Sequence, residues 1–206
     1  MARALVTGFE PFGGEEVNPS WRSVRRLDGN AIGDFEVIAR EVPTVFGKAG
    51  AFIARLIDEL RPDVVISVGQ AGSTPAIRVE RFALNLDDAR GQDNEGNQPE
   101  DKAIAPEGQI GYWATVPVKK IVKAINEAGI PAVISNSAGT FVCNHVFYSA
   151  LHHVSSKGLA VKVGFIHVPY LPEQAVSRPA MASMAEETIA AAVARAIEAC
   201  GAFPMS

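Results

Sequence analysis

A cysteine, a histidine and a carboxylate in three separate segments carry most of the chemistry available to this 206-residue sequence. Cys143 follows Asn136-Ser-Ala-Gly-Thr-Phe-Val142, a small-residue turn between a β-branched run and a helical pattern. That places the thiol in the first turn of a helix, where unpaired N–H groups and the helix dipole favour a thiolate. The same N–H groups can receive an oxyanion. The local sequence fits a buried structural cysteine equally well. Cys200 continues the apolar stripe Ile189, Val193, Ile197 and reads as core.

Four histidines are candidates for a partner base. His145 is two positions beyond Cys143 on the same helix and so faces another way, and His152 and His153 lie further along it. His167 stands at the end of a strand, ahead of Pro169, and alone reaches the sheet edge from an independent element. Glu80 is a carboxylate among Phe82, Leu84 and Leu86 on one side of an extended segment, Ile77 to Leu86. Buried there, it needs a partner: an ion pair with Arg78, Arg81 or Arg90, or a histidine whose tautomer it fixes. No Cys and His cluster has zinc spacing, so no metal and no cofactor are expected. Gly8-Phe-Glu-Pro-Phe-Gly-Gly14 lacks the lysine of a P-loop and the dinucleotide fingerprint, but its phenylalanines can wall a small apolar pocket.

The elements that must position these groups alternate. Ala4–Thr7, Phe35–Val42, Val64–Val68, Ile77–Leu86, Ala132–Ser135 and Ala160–Val168 read as strands. Between them lie helical patterns from Asn18 or Ser20 to Leu27, over 51–60, from Pro117 to Gly129 and over 141–157. A last helix carries a capping box of Ser183 with Glu186. The polar stretch from Asp87 to Gly111 reads as one long functional loop. This order predicts a three-layer α/β/α sandwich with a largely parallel, mixed, twisted sheet, in one domain over 1–206. Ligands then bind beyond the C-terminal strand ends, at 8–14, 69–74, 136–144 and 167–172.

Composition narrows the function classes. A net charge of −4, with Arg22, Arg25 and Arg26 as the densest basic cluster, gives no stripe for nucleic acid. That cluster reads as a solvated helix face. No apolar run has the roughly 18 residues of a membrane span, and the start shows no signal-peptide pattern. A soluble, cytoplasmic protein with reduced thiols is expected.

Four segments, in order, resemble the pyroglutamyl peptidase I (pyrrolidone-carboxylate peptidase) family. They are Thr7-Gly-Phe-Glu-Pro-Phe-Gly-Gly14; Val79-Glu-Arg-Phe-Ala-Leu-Asn85 with Asp88-Ala-Arg90 and Asp93-Asn-Glu-Gly96; Ser135-Asn-Ser-Ala-Gly-Thr-Phe-Val-Cys-Asn144; and Phe165-Ile-His-Val-Pro169. The resemblance implies a triad of Glu80, Cys143 and His167, acting on peptides with an N-terminal pyroglutamate. It implies a lactam pocket from Phe9, Phe12, Phe141 and Val142, with Gln70 and Asn18 as polar neighbours and Arg90 close by. It also implies a homo-oligomer, often a tetramer. Ser73-Thr74, Arg78 and Gly91-Gln92 depart from the family's pattern. These departures keep open a small-lactam or acylamide amidase on the same triad; a non-catalytic small-molecule binding module is a further alternative, against which an intact triad argues.

Overall fold

The computed structural model describes residues 1–72 and 74–201. Strand β1 (Ala2–Phe9) leads to helix α1 (Pro19–Val24) and a 3-10 turn over Arg25–Leu27. Then come β2 (Ala31–Ile32), β3 (Phe35–Val42), α2 (Lys48–Leu60), β4 (Val64–Gln70), β5 (Ile77–Glu80), β6 (Phe82–Leu84) and β7 (Gly111–Trp113). The chain continues through α3 (Val118–Glu127), β8 (Ala132–Ser135), α4 (Val142–Lys157), β9 (Lys162–Val168), α5 (Pro172–Ala175) and α6 (Glu186–Cys200).

The main sheet has the order β2-β3-β1-β4-β9-β5-β8, and β6 and β7 form a separate ribbon. Strands β3, β1, β4 and β9 are parallel. Strand β5 runs antiparallel to β9 while pairing in parallel with β8, and β2 is antiparallel to β3. The sheet is thus mixed and mostly parallel, with helices on both faces, as the alternating pattern predicts. One face packs Val6, Ile66, Val79, Ile166 and Val168 under α3 and α6. The other packs Leu5, Phe9, Val65, Val163 and Phe165 under α2 and α4. Both faces are apolar because central strands are covered twice.

Four sequence expectations are corrected. Ile77–Leu86 is not one strand: the pairing breaks at Arg81, whose N–H donates to the Ser135 carbonyl at 2.7 Å. The burial phase shifts with it, so that Ala83, rather than Phe82 or Leu84, is the buried residue. Ser183 and Glu186 form no capping box. Helix α6 starts at Glu186 with no side-chain cap, and Tyr170 and Ser183 bridge as extended backbone. Glu186 instead pairs with Arg22 at 2.7 Å and Arg26 at 3.1 Å, so the basic cluster docks α1 on α6 rather than facing only solvent. Finally, β5 and β8 run against β9, so Ser135 lies level with Phe165 in mid-sheet. The turn after β8 is therefore not a parallel-strand end; it climbs back over 136–141 to start α4.

Asn144, fully buried in the first turn of α4, ties that helix to the ribbon. Its Oδ1 accepts the Leu84 N–H at 2.9 Å, and its Nδ2 donates to the Leu84 and Leu86 carbonyls at 2.9 and 3.0 Å. Replacing it with an apolar side chain of similar size strands those backbone groups. Asn144→Leu is expected to cost about 1–3 kcal/mol of stability, read as a lower urea midpoint at unchanged m-value.

Candidate active site

Glu80 and His167 meet because of strand register. Arg78 pairs with His167, and Glu80 with Phe165, across antiparallel β5 and β9. Alternate residues share a face, so Glu80 is the diagonal neighbour of His167. Its Oε1 accepts from His167 Nδ1 at 2.9 Å, and the carboxylate has no exposed surface. Arg78 is a weaker partner: its Nε is 3.9 Å from Oε1, while its Nη2 donates to Ser135 Oγ at 2.7 Å. Among the described residues Glu80 Oε2 has no hydrogen-bond partner.

With Nδ1 engaged, the imidazole is left with Nε2 for Cys143, whose sulfur packs against Gly69, the register neighbour of His167. Burial alone would push this histidine down. The Cys143 sulfur and the Glu80 carboxylate, by charge and hydrogen bonding, outweigh it and hold His167 up from 6.5 to about 9. Phe165 packs 4.9 Å from the imidazole, centroid to centroid. Gly69, beside His167 in the register of β4 and β9, makes room for the thiol: a Cβ there would stand 2.7 Å from Cys143 Sγ.

Cys143 is the second residue of α4, after Phe141 at the N-cap. The first intrahelical donor is the His145 N–H, to the Phe141 carbonyl at 3.1 Å, and no side chain caps the end. The N–H groups of Val142, Cys143 and Asn144 therefore sit at the thiol as anion donors. Cys200 contrasts with this: it is buried in α6, and burial pushes its thiol up to about 11 despite Lys162 and Lys120.

A pocket of about 480 Å3 opens in front of the helix start, lined by Phe12, Gly13, Asp88, Arg90, Phe141 and neighbouring loop residues. The Phe12 and Phe141 rings in its wall pack on one another at 6.0 Å, tilted by 36°. Phe9 and Val142 are buried in the core beneath. Gln70 follows Gly69, and its Oε1 accepts from Gln174 at 3.0 Å. Asn18 is turned inward: Oδ1 caps α1 through the Ser20 N–H at 3.0 Å, and Nδ2 holds the Glu10 carbonyl of the phenylalanine loop at 3.0 Å.

The comparisons with known proteins agree on one family. A family model described as pyroglutamyl peptidase matches residues 2–202. Proteins named pyrrolidone-carboxylate peptidase are 48% identical over 198 residues in Bacillus cereus, covering 96% of this chain and 92% of that protein. One from Escherichia fergusonii is 53% identical over 197 residues, with the same coverage. The crystal structure of pyroglutamyl peptidase I from Bacillus amyloliquefaciens superimposes with a TM-score of 0.95 at 44% identity, covering 97% of each chain. The chain belongs to the pyroglutamyl peptidase family.

The positions expected to depart from the family's pattern fall in identifiable places. Arg78 adds a cation beside Glu80, and Gly91 and Gln92 line the pocket mouth. Thr74 is buried and its hydroxyl donates to the Ala76 carbonyl at 2.9 Å; Ser73 lies outside the described residues. Three contributors escape sequence reasoning. Phe46 packs edge-on against Phe141 at 5.3 Å, Gln174 orients Gln70, and Asn94 Nδ2 holds Glu10 Oε1 and the Pro11 carbonyl, each at 2.9 Å. No local pattern marks the first two. Asn94 lies in Asp93-Asn-Glu-Gly96, a stretch that resembles the family, and that resemblance is the signal that could have found it.

Gly69→Ala tests the packing of the thiol. The new Cβ would also meet the Phe165 ring at 2.9 Å, so the sulfur must shift from His167. Hydrolytic activity is expected to fall about 100-fold or more, with the circular dichroism spectrum retained.

Proposed function

We propose that this pyroglutamyl peptidase family member hydrolyses the N-terminal pyroglutamyl residue from peptides by acyl transfer. In this reading Cys143 is the nucleophile, His167 the acid–base group and Glu80 its orienter. The observation that carries it is the His167–Glu80 hydrogen bond beside Gly69, against which the sulfur of Cys143 packs at an uncapped helix start.

The Cys143 thiolate attacks the pyroglutamyl carbonyl carbon. The oxyanion forms against the N–H groups of residues 142–144. His167, as imidazolium, gives its proton to the departing peptide amine as the C–N bond breaks, leaving a thioester. The neutral imidazole then takes a proton from water, which attacks the thioester and releases pyroglutamate and the thiolate. Glu80 holds the ring in the tautomer that presents Nε2.

Specificity follows from what pyroglutamate lacks. Its amine is closed into a lactam, so it brings no ammonium into a pocket lined by Phe12 and Phe141. An N-terminal glutamine or glutamate would have to desolvate its charge there. Gln70, Arg90 and the backbone near Val142 supply polar contacts around the ring, with Phe9 and Asn18 supporting the loop. The same reading includes a homo-oligomer, a tetramer, working in the cytoplasm; light scattering on the purified protein tests the tetramer.

Turnover of a pyroglutamyl-amide reporter, set against other N-capped amides, is the deciding experiment. The wild type should prefer pyroglutamyl, and equal rates on acyl amides would favour an amidase instead. Cys143→Ser should lower the rate about 1000-fold or more, and retained activity would dismiss this nucleophile.

The pH profile follows from the raised histidine. Activity requires imidazolium, so its alkaline limb should fall near pH 9. Glu80 helps to raise His167, so Glu80→Gln should lower the histidine's pKa and move that limb to lower pH. A limb that stays in place would remove Glu80 from the triad.

A further inference from the structure

Helix α2 begins in an unusual way. Gly47, just ahead of it, has φ 72° and ψ −55°, and the Lys48 N–H donates to the Phe46 carbonyl at 2.8 Å. That is a γ-turn of the positive-φ kind, a rare and strained conformation that persists only where its surroundings hold it.

Two side chains hold this one. The Phe46 N–H donates to Asp93 Oδ2 at 2.9 Å, and the Gly47 N–H donates to His145 Nε2 at 3.1 Å. A backbone N–H can only donate, so His145 Nε2 carries no proton. Nδ1 then carries it and donates to Asp87 Oδ2 at 2.8 Å. His145 and Asp87 are both buried. Helix α2 is packed directly on this imidazole, since a Cβ at Gly50 would lie 2.7 Å from Nε2.

The turn aims one ring. Phe46 meets His145 edge-on at 5.7 Å and Phe141 edge-on at 5.3 Å. Phe141 packs on Phe12 in the wall of the pocket and is also the N-cap of the helix that carries Cys143. We infer that His145 is a positioning residue for substrate binding: by accepting the Gly47 N–H it locks the γ-turn and seats Phe46 behind Phe141. The inference rests on Phe141 walling the pyroglutamyl site. It gives a role to a histidine that the acyl-transfer chemistry does not use.

The test measures kcat and KM for a pyroglutamyl-amide reporter, per active site titrated with a thiol reagent, after wild-type turnover has been established. Failure of the wild type would count against the proposed function rather than against His145. His145→Leu should raise KM about three- to tenfold, the range of one lost hydrogen bond, with kcat changed less. His145→Gln, which offers an amide oxygen to the Gly47 N–H, should recover most of that loss. Gly47→Ala is a second route that spares the histidine. Its Cβ meets nothing within 4 Å, so only the positive φ is penalised, and KM should rise in the same way. Unchanged KM in both His145→Leu and Gly47→Ala would overturn the inference. So would a glutamine variant no better than leucine, or a loss confined to the fraction of titratable sites.

Discussion

A carboxylate with no exposed surface must be compensated inside the protein, because stripping it of water costs several kcal/mol. Glu80 is in that position, and its close partner is the Nδ1 of His167 at 2.9 Å. The pairing is possible because β5 enters the sheet against the direction of β9, which makes residues 80 and 167 diagonal neighbours on one face. Were β5 parallel, the register would be different and so would the neighbour. The antiparallel entry also dictates the path of the next segments: β8 ends in mid-sheet, and the chain must return over 136–141 before α4 can present Cys143 above Gly69. The meeting of Glu80 with His167 and the one reversal in the centre of the sheet are a single feature.

The long polar stretch between β6 and β7 is built into the structure by its own hydrogen bonds. Asp87 and Lys102 bridge, Asp93 accepts from the N–H groups of Phe46, Glu95 and Asn97, and Asn94 reaches Glu10 and Pro11. The Asp88 N–H donates to the Thr140 carbonyl, and the Thr140 hydroxyl donates to the Asp88 carbonyl. One segment thus grips the phenylalanine loop, the turn ahead of α2 and the approach to α4, which together surround the pocket. Polar residues suit this task because most of these anchors are hydrogen bonds to backbone groups, which must be paired when buried. The aromatic rings on the anchored segments then keep fixed spacings: Phe12 to Phe141, and Phe141 to Phe46.

Much of this was legible locally. Phe35–Val42 and Ala132–Ser135 are bounded as their apolar runs and flanking Pro and Asn predict, and the position of Cys143 in a first helical turn follows from its small-residue approach. What failed locally failed for one reason. Alternation does not encode strand direction, so nothing near Ile77 announces that β5 is reversed or that Arg81 leaves the sheet. The box of Ser183 and Glu186 is chemically sound, yet Glu186 is claimed by Arg22 of α1 and Arg26 of the 3-10 turn that follows it. Phe46 and Gln174 matter through contacts that join segments far apart, such as His145 with Gly47 at a separation of 98 residues and Gln174 with Gln70 at 104. Only the assembled chain contains that information.

Arg78 shows how the site around Glu80 accommodates a neighbouring cation. A guanidinium next to Glu80 is a rival to His167 for that carboxylate. The structure limits the rivalry by geometry. Ser135, in the same register on β8, accepts from Arg78 Nη2 at 2.7 Å and donates to the Ser137 carbonyl at 3.2 Å, which leaves Nε 3.9 Å from Glu80. At that distance the arginine contributes field without a hydrogen bond, and field between partly exposed and buried charges is weaker than direct contact. His167 keeps the short bond, and Glu80 and Cys143 together still lift the imidazole to about 9. The carboxylate therefore serves two cations at unequal range, and the strand neighbour Ser135 sets which of them is bonded.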